Sequence, residues 1–450
     1  MQKRYKIYCT EHKKNIWSVP QELIDQYGLT ANQSITLKCG AKSIDVITRL
    51  LPEGNSTDPV LGLSPEALKQ LCIPLETFMG VKQEKDGAFR LGPVIGILTF
   101  PAHVPARLGF YRSYAKLNSH NGILYVFRGR SINTQKRTIT GYSYDYTKNT
   151  WSESEFPFPD AVIDRCYPNP YICHIWLENL IGRNRIFNKK TMIDKLQFVK
   201  VLSRDEVLKN HIPETWEYTV ASQLMSMLQD HGEVFLKPVN GMKGHGIIVV
   251  NNTGRDVPEY SYMTGGKKYT GLLSSPKEIS DVIKKAAGRK RPYIIQQGIR
   301  RMNFKGGPFS IRTWAMKNGK GQWVIPGMFA KGSFGEGFLT NFTAGAKLIP
   351  LKDFYESILP RLPYSKDRLL SLLKELTLGT AEALDREFGP LGELGLDIVF
   401  DQEGKPWLIE ANGNPGIIPI FIQKEYPLWP MLLYKYPLDY ATFLAGFSDN

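Results

Sequence analysis

The sequence predicts an α/β (α+β) protein of three units. A small β-rich, barrel-like unit spans residues 1–90, an α/β layer spans 91–181, and a larger α/β unit over 182–450 holds the chemistry. Three observations carry this reading. Short apolar runs broken by turn residues fill the first 90 residues. From Leu91, strand-like and helix-like patterns follow in strand–helix–strand order. The remainder alternates apolar strands with Gly-rich turns and one long helical pattern. No low-complexity linker separates the three, so they should pack closely.

In the first unit, VPQELIDQYGL from Val19 recurs as LSPEALKQLCI from Leu63. Glu22 then falls on Glu66, Gln26 on Gln70 and Leu29 on Ile73. Each copy has Pro and Glu near a helix start and apolar residues three and four apart. A duplicated strand–helix–strand unit closing into a small barrel would explain the repeat.

In the second unit, GPVIGILTF is a strand, ARLGFYRSYAKLN the helix after it and ILYVFRG the next strand. TITGYSYDYTKNTWSES reads as a hairpin, and the Pro-rich FPFPDAVIDRCYPNPY as a connector with a short buried strand. In the third unit, KKTMIDKLQFVKVLSRDEVL has helical periodicity, and EVFLKPVNGMKGHGIIVVNN reads as strand, Gly-rich turn, strand. LLKELTLGTAEALDREF is a helix, followed by the strands GLDIVFD and PWLIEAN around the turn Gln402-Glu403-Gly404.

Composition narrows the function. At 42% apolar and 22% charged, the 450-residue chain has a globular mix, which excludes wholesale disorder. Lys and Arg exceed Asp and Glu by 57 − 43 = 14, which favours a polyanionic partner. Five cysteines with no C-x-x-C pair argue against a disulfide scaffold or a Cys-based zinc site. The charged N-terminus lacks a signal-peptide core, and Leu91 to Phe100 is about half a membrane span. The expectation is a soluble cytoplasmic protein with no membrane span. No P-loop, H-E-x-x-H helix, G-x-S-x-G elbow or EF-hand loop is present, and the seven histidines are scattered.

Three features point to chemistry. Lys237-Pro238 ends an apolar strand and is followed by Gly241, Gly244 and Gly246. Such glycines let backbone N–H groups close on phosphate oxygens, and the lysine adds a point charge; an ordinary hairpin shares the pattern. Asp397, Glu410 and Asn412 interrupt apolar strands. Glu410 and Asn412 share a strand face, Asp397 can lie opposite, and two carboxylates with an amide oxygen suit Mg²⁺. A structural ion pair is the alternative. Between Lys284 and Lys305, eight Lys/Arg occur without an acid: Lys284, Lys285, Arg289, Lys290, Arg291, Arg300, Arg301 and Lys305. That run reads as a solvated face or an anionic-substrate surface. Aromatics are not interleaved, so nucleic acid is the weakest partner class.

Together these residues resemble the ATP-grasp superfamily, and within it the YheC/YheD family associated with the endospore coat. LGPVIGILT, PDAVIDR, NKKTMIDKL, IPET, FLKPVNGMKGHGI, IIQQGI, SIRTWAMKNGKGQW, LTNFTAGA and LGLDIVFD…LIEANGNPG stand in the family's order. The resemblance implies an ATP-grasp fold preceded by a pre-ATP-grasp α/β domain. It also implies that Lys189, at a helix start, and Lys237 contact ATP phosphates under the loop Asn240, Gly241, Gly244, Gly246. IIQQGI would be a hinge, with Gln296 or Gln297 and the backbone of Ile299 on the adenine. Asp397, Glu410 and Asn412 would hold one or two Mg²⁺, with Mn²⁺ as an alternative. Arg312 would stabilise the transferring phosphoryl group or an acyl-phosphate, and Asn341 would lie near metal and phosphate. Lys331 joins Arg312 as a catalytic residue but stands where the family pattern suggests arginine; Ser310 replaces an acid, and Gly345-Ala346 replaces two glycines.

The implied activity is that of an ATP-dependent carboxylate–amine ligase acting through an acyl-phosphate. Its unknown acid and amine substrates would include a peptide or an anionic polymer of the coat or envelope. The alternative is a nucleotide-binding structural or assembly protein of the endospore coat, with spore-coat proteins as partners and no ligase turnover.

Overall fold

The computed structural model describes residues 3–51, 58–100, 104–166, 171–190, 192–241, 244–254, 257–288, 291–333, 345–415 and 428–448. Seven strands, β1 (Tyr5–Cys9), β2 (Ile16–Val19), β3 (Ser34–Cys39), β4 (Lys42–Leu50), β5 (Val60–Leu63), β6 (Phe78–Gln83) and β7 (Phe89–Gly92), close in the order β1-β5-β2-β4-β3-β7-β6. Helices α1 (Gln21–Tyr27) and α2 (Pro65–Leu71) follow β2 and β5. The elements that start at 16, 21 and 34 start again at 60, 65 and 78, a constant step of 44 residues. Antiparallel pairing sets Ser18 against Gly62 and Trp17 against Leu63, so the copies meet about a local two-fold. Both helices end in the left-handed region, at Gly28 (φ +61°) and Cys72 (φ +55°). Only the second has a side-chain cap, where Ser64 accepts from Ala67 N ahead of Pro65.

The second sheet has the order β11-β10-β9-β8-β12-β13. Its strands are β8 (Val94–Thr99), β9 (Ile123–Asn133), β10 (Thr138–Asp145), β11 (Thr150–Pro157), β12 (Ala161–Asp164) and β13 (Ile186–Phe187). β9, β8, β12 and β13 are parallel, and β10 and β11 add an antiparallel hairpin. Every residue of β8 and β12 is buried, as expected of central parallel strands covered on both faces. Helices α3 (Val104–Leu117) and α4 (Tyr171–Ile181) supply crossovers.

Two antiparallel sheets form the rest. One has the order β14-β19-β15-β16-β17-β18, from β14 (Thr215–Glu217), β15 (Glu233–Pro238), β16 (Ile248–Asn251), β17 (Glu259–Thr264), β18 (Lys267–Leu272) and β19 (Tyr293–Gln297). Helices α6 (Ala221–His231) and α7 (Ile279–Ala287) bury Leu224, Leu228, Val282 and Ile283 with Val234 and Leu236 of β15. That covers one face and leaves Phe235 and Lys237 on the other. The other sheet has the order β24-β23-β21-β25-β26, with β20 (Asn303–Phe304) and β22 (Trp323–Val324) paired to β21 (Gly307–Lys317). Its remaining strands are β23 (Met328–Gly332), β24 (Lys347–Ile349), β25 (Glu393–Phe400) and β26 (Pro406–Asn412). Helices α5 (Lys195–Leu202) and α9 (Lys366–Phe388) pack on it, with the short α8 (Leu351–Asp353) preceding α9. α10 (Trp429–Ala445) returns to the second sheet, burying Leu438 and Ala441 with Ile95 and Ile163. Residues 298–302 connect the two antiparallel sheets, and Met302 N donates to Phe400 O at 2.8 Å. Among the described residues, no helix is long and apolar enough to cross a membrane.

One local expectation is corrected. Helical periodicity reaches back to Lys189, but the helix begins at Lys195. Asp194 caps it, accepting from Gln197 N at 2.8 Å, while Asn188 adopts φ +62° upstream. A carboxylate at the N-cap fits the positive end of the helix dipole and sets the boundary there.

Candidate functional site

The site is assembled from the uncovered face of β15, the face of β21, β25 and β26 that carries acids, and the start of α5. Lys237 is buried; its Nζ donates to Gln296 Oε1 at 2.5 Å, and Gln296 Nε2 donates to Thr215 Oγ1. Burial first, then the positive charges of Arg301 and Lys195, lower its ammonium to about 7, against the pull of Glu410. Lys195 Nζ donates to Gly241 O at 3.1 Å; burial lowers its pKa, opposed by Glu410 and Asp194. After Lys237 the chain turns through Gly244 and Gly246, both at positive φ. A Cβ on Gly246 would lie 2.8 Å from the Tyr293 hydroxyl, which donates to Gly246 O at 2.7 Å.

The acids lie on adjacent strands. Asp397 pairs with Glu410, and Gly395 with Asn412; the register then slips, because Ile398 opposes Leu408 and Ile409 is bulged. Such a bulge re-aims neighbouring side chains. Arg312 of β21 pairs across to Asp397, its Nη2 donating to Oδ2 at 2.9 Å, and Lys331 Nζ of β23 lies 3.1 Å from Oδ1. Burial pushes the Asp397 carboxyl up, but Arg312 and then Lys331 outweigh it and hold it below the ordinary carboxylate value. Gly395 makes this geometry possible, since a Cβ there would lie 2.5 Å from Arg312 Nη1.

The donor set suits a hard divalent cation. Cross-strand pairing sets the Asp397 and Glu410 carboxyls side by side, an arrangement of like charges that a cation would relieve. Asp397 Oδ1 has no aligned hydrogen-bond donor among the described residues, and Asn412 Nδ2 reaches Glu410 Oε1 at 3.4 Å. Among the described residues no cluster of three His, Cys, Asp or Glu exists, so the third oxygen would come from the Asn412 amide. Four basic side chains (Lys195, Lys237, Arg312, Lys331), three of them charged outright and Lys237 able to take up a proton, lie with two acids (Asp397, Glu410). That surplus suits a polyphosphate.

The anticipated residues are thus partly brought together. Lys237, Gln296, Arg312, Lys331, Asp397, Glu410 and Asn412 join one network, and Gly241 joins it through its carbonyl. Lys189 does not: its ammonium pairs with Glu178 of α4. Gln297, one residue along an extended strand from Gln296, is turned to Glu214, whose N–H donates to its Oε1 at 3.1 Å. Asn240 is exposed, and Asn341 lies outside the described residues. Ile299 borders a cavity of about 450 Å³ beside Phe235, lined also by Val249, Arg300 and Arg301. The basic run is not one surface. Arg301 is half-buried with its guanidinium 5.6 Å from the Phe235 ring, while Lys284 and Lys305 pair outside with Asp281 and Asp353.

Lys195, Arg301 and Phe235 went unrecognised as site residues. The Asp194-Lys195 pair, an N-cap followed by a cation, was a usable signal for Lys195. For Phe235, its place two residues before Lys237 on one strand put it on the same face.

The chain is similar to known proteins. The YheC/D like ATP-grasp family matches residues 183–444. The endospore coat-associated protein YheD of Bacillus subtilis (strain 168) is 27% identical over 378 residues, covering 80% of each chain. YheC of the same organism is 26% identical over 351 residues, covering 75% of this chain and 92% of that one. Among solved structures, D-alanyl-alanine synthetase A from Vibrio cholerae aligns at 14% identity and a TM-score of 0.44, covering 79% of this chain and 98% of that one. With the family match spanning more than half of its 450 residues, the protein belongs to the YheC/D-like ATP-grasp family.

Proposed function

We propose that the protein is an ATP- and Mg²⁺-dependent carboxylate–amine ligase working on a peptide or an acidic component of a coat or envelope. The observation that carries this reading is the convergence of Lys237 and Lys195 with Asp397, Glu410 and Arg312 in one partly buried charged cluster. Lys195 and Lys237 would hold the nucleotide phosphates beneath the Gly244–Gly246 turn. The cavity beside Phe235 and Ile299 would take the base, with the adenine against the Ile299 backbone. Asp397, Glu410 and Asn412 would bind Mg²⁺ (or Mn²⁺), which supplies charge neutralisation and alignment of phosphate oxygens. Arg312 and Lys331 would steady the phosphoryl group as it passes to the acid substrate.

The chemistry then needs no protein nucleophile. A carboxylate oxygen attacks the γ-phosphorus, the bond to the ADP oxygen breaks, and an acyl-phosphate forms. The amine attacks the acyl carbon and releases inorganic phosphate and a proton. Positioning and oxyanion neutralisation lower both barriers.

A second reading, a nucleotide-binding assembly protein of the endospore coat without turnover, draws on the relatives' coat association and on one feature of the site. Asp397 already carries two cationic partners, Arg312 and Lys331, which compete with a metal ion. Calorimetric titration of ATP with and without Mg²⁺ tests both readings, using wild type and Asp397→Asn/Glu410→Gln. Mg²⁺-dependent binding lost in the variant, with ADP release stimulated by added amino acids or peptides, is the ligase outcome. Binding without stimulated turnover favours the assembly reading, and no binding in wild type refutes both.

A further inference from the structure

A second polar site lies where the barrel meets the second sheet and the end of α10. A cavity of about 190 Å³ is lined there by Lys82, Glu84, Arg90, Asp160, Arg185 and Ala445. This is far above the roughly 10–15 Å³ that one water requires. None of these residues belongs to the nucleotide cleft.

The two acids in its wall are already matched. Asp160 is buried; its Oδ1 accepts from Arg90 Nη1 at 2.9 Å and its Oδ2 from Val94 N at 2.8 Å. Glu84 accepts from Arg90 Nε at 2.6 Å and from Lys38 Nζ at 2.7 Å. Arg90 is therefore locked in place, with Nη1 also donating to Gly40 O at 2.8 Å. The cations keep donors in reserve, even though the charges of Arg90 and Arg185 both act on Asp160. Among the described residues, Arg90 Nη2 and the Arg185 guanidinium meet no hydrogen-bond acceptor. The Lys82 ammonium reaches only Gly446 O, at 3.4 Å.

Two guanidinium groups and an ammonium thus face one polar cavity with donors to spare. Forked N–H donors match the spacing of oxyanion oxygens, and a preorganised guanidinium loses little freedom when it binds one. We propose that this seam is a binding site for a phosphate-class oxyanion, free or as a monoester. Bound there, the anion bridges the barrel (Lys82, Arg90) to Arg185, just before β13, and so ties the N-terminal unit to the rest of the chain.

The test is titration of inorganic phosphate into the full chain at constant ionic strength, followed by calorimetry and thermal melting. Three proteins are compared: wild type, Lys82→Gln/Arg185→Gln at the seam, and Lys195→Gln/Lys237→Gln in the cleft. We expect one saturable event with a raised melting temperature in wild type and in the cleft variant. It should weaken by about tenfold or more in the seam variant, as expected for lost charge-assisted donors. Arg185→Gln alone should show the same direction of change if the double variant folds poorly. Repeating the titration with glycerol 2-phosphate separates the sources: tighter binding than phosphate assigns the site to an ester group, weaker binding to the free anion. Unchanged phosphate binding in the seam variants overturns the proposal, as does the absence of saturable binding in wild type up to about 20 mM. Loss in the cleft variant alone would assign the anion to the nucleotide site and overturn it too.

Discussion

Arg165 ties three parts of the chain together, and its removal should be costly in a way that pH can reverse. From the end of β12 its Nη2 lies 2.7 Å from Glu393 Oε1 and 2.9 Å from Oε2. It also donates to the Tyr114 hydroxyl, and Nη1 donates to Asn414 Oδ1 at 3.1 Å. Both partners of the ion pair are sealed from water, with side-chain exposures of 6% for Arg165 and 2% for Glu393. Arg165→Met leaves Glu393 buried with one side-chain donor, Asn188 Nδ2 at 3.0 Å. Stranding one member of a buried pair costs about 3–5 kcal/mol.

The sign of the pH effect follows from Glu393. Burial raises its pKa even with Arg165 opposing, so without Arg165 it rises further. Above the ordinary glutamate value, the folded variant then binds more protons than the unfolded chain, and its stability falls as pH rises. The deficit should grow as pH rises above the ordinary glutamate value and shrink as pH falls back toward it. Native-state hydrogen exchange at the β12 and β25 amides measures this locally, without assuming one unfolding transition for a chain of several units. Arg165→Met/Glu393→Gln should recover much of the loss, because no charge is then buried alone. A deficit below about 1 kcal/mol at pH 7, or a double variant no more stable than the single, would refute the reasoning.

Two further outcomes are expected at the cleft. Lys237, held near 7, is largely neutral above that pH in the empty protein, and a polyphosphate favours its ammonium. Nucleotide binding at pH 8 should therefore take up a proton, and affinity should fall from pH 7 to 9. Titrations in buffers of different ionisation enthalpy would show this, and Lys237→Met should abolish the uptake. Gly395→Ala would put a methyl 2.5 Å from Arg312 Nη1 and 2.8 Å from Pro415 Cβ, pushing the guanidinium off Asp397. Mg²⁺-dependent nucleotide binding should drop while the melting temperature changes by only a few degrees; intact binding would show that Arg312 is not needed there.

Much of the architecture was legible because hydrophobic period reports local geometry. The unbroken apolar run of β8 marks a covered parallel strand, and the 44-residue repeat is visible in the sequence spacing of the two segments that form α1 and α2. The α/β ATP-grasp class followed from motifs in order, and the acids of β25 and β26 stood out because charge in a buried strand demands a partner. Partner choice was not legible. Lys189 and Lys195 both precede or open a helical pattern, yet the first pairs with Glu178 while the second donates to Gly241 O and lies near Glu410. Gln296 and Gln297 are adjacent and equivalent in composition, and strand alternation sends only the first to Lys237.

The sequence by itself thus determined which segments become strands and helices, which family the chain joins and which residue types gather near its end. Periodicity, caps and glycines act within a few residues of chain. The tertiary structure alone decided that Arg312 and Lys331 both fall on Asp397, that Arg301 is drawn in from a basic run, and that Arg90 and Arg185 share a cavity. Those pairings join residues tens to a hundred positions apart, and they are set by sheet register and burial, which the linear chain does not display.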